Sequence, residues 1–277
     1  MASDPRTWFD ATAERMLASR DATGDLEVVG DLDAFQRDKR RRVLEWLAAR
    51  PLEGRRVLEV GCGAAGNLRF LCERGARVEG ADISPKMIEV AGRLNAQRGI
   101  EFPLHVIDGA HLPHADDSLD VVLTVTALQH NHDGPMLESL VRDIARCLRP
   151  GGEAWILEGV HAERTVHRQS VHRHREEYVA MFTQAGLVER SYTALHSHYP
   201  KWMARWQQVS TAAQRAFLRL GGRDLQDEQD YERRYGDGAR LDGLASRGIF
   251  LLTRLVDPVH RGGDALGFFV FSKPPRA

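Results

Sequence analysis

The sequence has no surplus of charge of either sign: 38 lysine and arginine residues stand against 39 aspartate and glutamate residues in 277. A protein that lives on nucleic acid or an anionic membrane needs a cationic excess, so no nucleic-acid partner is expected. Long apolar runs are missing too. None approaches the ~20 residues of a bilayer-crossing helix, and the polar start Met1–Arg6 is not expected to be a signal peptide. No membrane association is expected. Cysteine is scarce: Cys62, Cys72 and Cys147 show no metal-ligand spacing, which fits a reduced, cytoplasmic protein. Internal repeats and low-complexity tracts are absent as well. What is present is 43% hydrophobic residues, enough for a large core, in a length that suits one α/β domain with an insertion.

From Arg56 onward, apolar strands alternate with amphipathic helices. Strands are expected at Val57–Val60, Arg77–Asp82, Leu104–Asp108, Asp120–Val125 and Ala154–Leu157, with two late ones at Leu187–Leu195 and Leu266–Ser272. Helices fall between them. One begins at Asn67, one is capped by Ser84 with Pro85 at its first position, and Glu176–Ala185 forms another. Met136, Leu137, Leu140, Val141, Ile144 and Leu148 make a helical stripe that stops at Arg149-Pro150-Gly151-Gly152. Strand-then-helix repetition implies a parallel sheet with right-handed crossovers. Residues 1–50 read as polar helices and a possible lid, in which Lys39–Arg42 form a solvated face. The core is expected over 51–195 with a final strand in 265–277. Between them, 196–264 reads as a helical insertion capping the substrate, carrying Trp202, Trp206, Tyr231 and Tyr235.

The most specific segment is Val57-Leu58-Glu59-Val60-Gly61-Cys62-Gly63-Ala64-Ala65-Gly66-Asn67. An apolar strand runs into glycines that let the backbone turn sharply beside a ligand. Glu59, two residues before the first glycine, would repel a pyrophosphate but suits a cationic, amino-acid-like ligand. Gly61–Gly66 also reads literally as G-x-G-x-x-G with Asp82 at dinucleotide spacing, which keeps an NAD(P)-dependent oxidoreductase open as an alternative.

Four motifs in order resemble the class I S-adenosylmethionine-dependent methyltransferases of the small-molecule branch. They are Glu59–Gly63; Asp82-Ile83; Asp108-Gly109-Ala110 with Leu112-Pro113 and Asp117–Val122; and Leu128-Gln129-His130 with Leu148–Gly152. The resemblance covers roughly residues 50–160 well and implies a seven-stranded Rossmann-like sheet, doubly wound, with its last strand antiparallel. It implies S-adenosyl-L-methionine as cofactor, with Gly61, Cys62 and Gly63 under its methionine part and Asp82 accepting from the ribose hydroxyls. Asp108 would accept from the adenine amino group beside Gly109 and Ala110, and Thr124 and Thr126 would sit near the sulfonium end. Glu59, Asn67, Ile83, Met87 and Gln129 complete the expected cofactor lining. One departure is Ala65, where many relatives carry a glycine.

A histidine is the side chain best suited to take an acceptor's proton near neutrality, and His130 is the leading candidate, with His161, His196, His198 and Tyr199 as other substrate-facing groups. His167, His172 and His174 match no ligand set and read as a solvated helix start, so no metal is expected. The resemblance implies methyl transfer to a small molecule, with O-methylation of a specialised metabolite first and N- or C-methylation next. A catalytically silent S-adenosylmethionine-binding regulator is a further alternative. The chain lacks the Asn/Asp-Pro-Pro-Tyr/Phe tetrapeptide of amino-methylating DNA enzymes, and a monomer or homodimer is expected.

Overall fold

A computed structural model describes residues 5–18, 34–167, 170–196 and 265–276. The expected insertion, with His198, Tyr199 and its four aromatics, lies outside the described residues. The contacts below fall within one compact unit formed by Met1–Val29, Leu44–His196 and Gly263–Ala277; of the second unit, only residues 34–43 are described.

The element order is α1 (Pro5–Ala18), α2 (Ala34–Ala48), β1 (Arg56–Val60), α3 (Gly66–Cys72), β2 (Arg77–Asp82), α4 (Pro85–Gln97), β3 (Leu104–Val106) and β4 (Leu119–Val125). A 3₁₀ turn at Leu128–His130 follows, then α5 (Gly134–Cys147), β5 (Leu148–Val160), a small hairpin β6 (Thr165–Val166) and β7 (Val171–His172), α6 (Arg175–Gln184), β8 (Val188–His196) and β9 (Ala265–Ser272). Seven strands form one sheet in the order β3-β2-β1-β4-β5-β9-β8. β1 to β5 run parallel, and β9 lies antiparallel between β5 and β8. The order reverses between β1 and β4, and the crevice beyond the C-terminal ends of those strands is where such sheets bind ligands.

Local chemistry sets the element starts. The Ser84 hydroxyl accepts from the Met87 N–H at 3.0 Å to cap α4, and the Asp133 carboxylate accepts from the Met136 N–H at 3.0 Å to cap α5. Along α5, Leu137, Leu140, Val141 and Ile144 return every three or four residues and bury one face against the sheet. All eight residues of β9 are buried, as befits a strand covered on both faces. Phe182 of α6 stacks on Phe271 of β9 with ring centroids 4.7 Å apart, and Trp46 of α2 meets Trp155 of β5 edge-on at 5.7 Å. Truncating a fully buried ring such as Phe269 or Phe271 would cost about 3–5 kcal/mol.

Three expectations need correction. The fifth strand runs well beyond Ala154–Leu157, because β9 pairs with it continuously from Glu153 to Val160. The third strand stops at Val106, where the Ile107 N–H bonds to the Asp82 carbonyl at 2.9 Å and the chain turns away. His167, His172 and His174 do not start a helix together. His172 lies on β7 and stacks on His161 with centroids 3.6 Å apart, while only His174 caps α6, its N–H donating to Glu177 at 2.8 Å.

Candidate active site

The glycine turn folds inward. The N–H groups of Gly61 and Cys62 both donate to the Ala81 carbonyl, at 2.8 and 3.0 Å, and the Gly63 N–H donates to Asp82 Oδ2 at 2.9 Å. The turn therefore ties β1 to the tip of β2, and the N–H groups expected to face a ligand serve the fold instead. Gly61 has φ +74°, and a Cβ there would lie 2.4 Å from the Ala127 Cβ, so the turn and the exit of β4 pass too closely for any side chain. Ala65 takes the left-handed conformation itself, with φ 60°, a geometry that glycine would adopt at less cost. Glu59 is buried and its Oε1 accepts from the Asn67 amide at 2.7 Å, so Asn67 acts as its positioning partner. The Cys62 thiol is buried, and burial followed by the nearby Asp82 and Glu59 pushes its pKa up, which leaves it a small filler and not a nucleophile.

Asp82 stands buried at the end of β2. Its Oδ1 accepts from the Ser84 N–H at 2.9 Å and its Oδ2 from Gly63. A carboxylate offers roughly four acceptor sites, so both oxygens keep capacity for a vicinal diol. Burial raises its pKa, against the pull of those N–H groups. Asp108, one strand over, is exposed and works on its own turn: Oδ1 accepts from the Ala110 and His111 N–H groups, both at 2.8 Å, and Oδ2 pairs with the His111 ring at 2.7 Å. The His111 contact and these N–H bonds pull its pKa down to about 2. A Cβ on Gly109 would stand 3.3 Å from the Met136 sulfur and 3.6 Å from Ile83 Cγ2, so these two apolar side chains flank the bare backbone there.

Beyond β4, Thr126 is held at φ 52°, an uncommon geometry for a β-branched residue, by its N–H bond to the Leu157 carbonyl at 2.8 Å. Thr124 is fully buried with its hydroxyl toward Glu158, and Met87 is fully buried in a cluster with Ala13, Ala64, Val90 and Leu94. The 3₁₀ turn brings His130 to the rim, where the Gln129 amide lies 3.4 Å from His130 Nε2.

Helix α1 crosses this rim. Phe9 meets the His130 ring edge-on at 5.1 Å and Trp8 lies parallel to it at 6.5 Å. Asp10 Oδ1 accepts from the Ser84 hydroxyl at 2.5 Å, and the Arg6 guanidinium donates to the Ile107 carbonyl at 3.3 Å. Asp10, Met136, Glu158 and Arg173 escaped the sequence reading as site residues. Only Glu158 carried a local signal, as an acid in the apolar run Trp155–Leu157.

Residues 57–152 match the family model for a methyltransferase domain. The matched residues hold β1 to β4 and the start of β5, and they make up about a third of the chain. The chain is 36% identical over 108 residues to methyltransferase GfsG of Streptomyces halstedii, covering 38% of each chain. It is 34% identical over 105 residues to ubiquinone biosynthesis O-methyltransferase of Rhizobium etli, covering 38% of this chain and 41% of that one. The matched segment thus spans about two fifths of the length of these relatives. The fold is shared with the [4+2]-cyclase SpnF (TM-score 0.61, 19% identity, 90% of this chain and 86% of that one). It is shared equally with phosphoethanolamine N-methyltransferase 2 of Haemonchus contortus in complex with S-adenosyl-L-methionine (TM-score 0.61, 20% identity, 98% and 60%). A cyclase and a methyltransferase on one fold leave the activity to be argued from the site. No helix of the described residues is long and apolar enough to cross a membrane.

The donor set fits the family's cofactor. The Asp82 carboxylate at the tip of β2 suits a ribose diol and Asp108, two residues past β3, an adenine amine, with the apolar Ile83 and Met136 flanking Gly109.

Proposed function

We propose that the protein transfers a methyl group from S-adenosylmethionine to a small organic acceptor, with O-methylation of a specialised metabolite as the leading reaction. The observation that carries this reading is the buried Asp82 carboxylate, already oriented by the Gly63 and Ser84 N–H groups at the tip of β2, one strand from the switch point of the sheet. The bound cofactor supplies a methyl group that is electrophilic without further activation, so the chain's own task is to position reactants and exclude water. Asp82 binds the ribose, Asp108 the adenine edge, and Ile83, Gly109 and Met136 enclose the ring. Glu59, through Asn67, keeps the turn under the amino-acid end in shape.

His130 holds the place of the general base for a hydroxyl acceptor, taking its proton at a ring nitrogen as the new bond forms. Trp8 and Phe9 cover that histidine and shield the step from water. The name of the Rhizobium ubiquinone biosynthesis O-methyltransferase supports a small-molecule acceptor. The test is incubation of the full chain with methyl-labelled cofactor and a panel of phenolic, hydroxyl and amine acceptors. Label appearing in an organic product, and lost in Asp82→Ala, supports the reading. Tight cofactor binding with no product across the panel favours the silent regulator.

A further inference from the structure

Glu79, His105 and His114 converge from β2, the edge strand β3 and the loop that follows it. Glu79 Oε2 lies 3.3 Å from His105 Nε2 and 3.1 Å from His114 Nε2, and one donor atom from each residue lies within 4.8 Å of the others. The two imidazoles stand edge-on with centroids 5.5 Å apart. The other carboxylate oxygen, Oε1, accepts from the Arg56 guanidinium at 3.4 Å.

Those separations have a meaning beyond hydrogen bonding. In a tetrahedral zinc centre with metal–ligand bonds near 2.05 Å, neighbouring ligand atoms stand about 3.3 Å apart. Both Glu79-to-histidine distances fall within a few tenths of that edge. We propose that Glu79, His105 and His114 form a binding site for a divalent cation of the zinc type, with Arg56 holding the carboxylate from outside. Two imidazoles and a carboxylate are a borderline donor set that zinc accepts readily, and the fourth position is left to water. His105 is 31% exposed while His114 is 5% exposed, so the site is seated in the fold yet reachable from solvent.

The same three groups satisfy one another without metal, Glu79 accepting from both rings, so the fold forms first and the cation binds a preformed pocket. Binding moves the ring proton of each histidine from Nε2 to Nδ1. His114 Nδ1 is buried with no hydrogen-bond partner among the described residues, and a ligating histidine without an outer acceptor gives up about ten- to hundredfold in affinity. The cation is therefore exchangeable. Its effect is to pin the short β3 and the loop beyond it, between which Asp108 lies, to β2. This proposal does not depend on methyl transfer.

The test uses the full chain, stripped with chelator and titrated with Zn²⁺ alone by calorimetry. The expected result is one saturable site per chain and a melting temperature raised by on the order of 5 °C at saturation. His105→Asn and Glu79→Gln should each weaken binding at least about tenfold, and Arg56→Ala about ten- to hundredfold. The double variant His167→Asn/His172→Asn should bind as the parent does. Circular dichroism without metal checks that each variant is folded, and His105, the most exposed ligand, is the one least able to unfold the chain. Absence of a saturable site in the parent, or parent-like affinity in folded His105→Asn, would overturn the proposal.

Discussion

Glu158 and Arg173 hold the same short turn from opposite sides. The Glu158 carboxylate, fully buried, accepts from the N–H groups of Ala127, Leu128 and Gln129 at 2.8, 3.0 and 3.3 Å. The Arg173 guanidinium, also buried, donates to the carbonyls of Leu128 and Asn131 at 3.1 and 2.6 Å. Between them sits His130, so Glu158 and Arg173 fix the backbone of the proposed base, whose ring meets Trp8 and Phe9.

Replacing Glu158 by Gln turns one accepting oxygen into an amide that faces backbone donors. Bonds to charged groups are worth about 1.5–3 kcal/mol, so Glu158→Gln should lower unfolding stability by about 2–3 kcal/mol in urea titrations. If the clamp positions His130, kcat falls in the same variant while affinity for the cofactor product stays near that of the parent. Arg173→Met leaves the Leu128 and Asn131 carbonyls without their charged donor and should cost about 2–3 kcal/mol.

Gly61→Ala places a methyl 2.4 Å from Ala127 and forces φ +74° on a residue with a Cβ. Overpacking and backbone strain each cost about 1–3 kcal/mol, so a loss of at least ~2 kcal/mol is expected by thermal unfolding. Ala127→Gly in the same chain should recover part of it.

Acidification should act through Asp82. Its pKa is raised by burial, so the folded protein takes up this proton at a higher pH than the unfolded chain does. Cofactor affinity, which needs the ionised carboxylate, is full above the raised pKa and falls as pH drops through it. The stability term of the ligand-free protein has the reverse sign: it is full at pH values below the ordinary Asp value and is lost as pH rises through the raised one. Titrating binding by calorimetry from neutrality into the acid range checks the first of these.

Much of the fold was legible because its signals are local. The apolar runs of β1, β2 and β4, the caps Ser84 and Asp133 and the stripe along α5 each lie within a few residues of one another. Arg173 was hidden in the run His172-Arg173-His174-Arg175, which looks solvated until the chain carries it back to a turn 42 residues earlier. Asp10 meets Ser84 across 74 residues, and Glu79 meets His105 and His114 across 26 and 35, spacings that no ligand motif encodes. Asp82 ends β2 and Asp108 lies two residues past β3, and the N–H groups of Gly61, Cys62 and Gly63 bond to the Ala81 carbonyl and the Asp82 carboxylate. Glycine spacing reports that a chain turns sharply and leaves open which way its donors point.

The most direct test is calorimetric titration of the folded full chain with S-adenosylmethionine and with its demethylated product. Saturable binding of both at one site per chain, lost at least about tenfold in Asp82→Ala, is the result expected here. Heat-silent, unsaturable titrations of the parent protein with both compounds would contradict it.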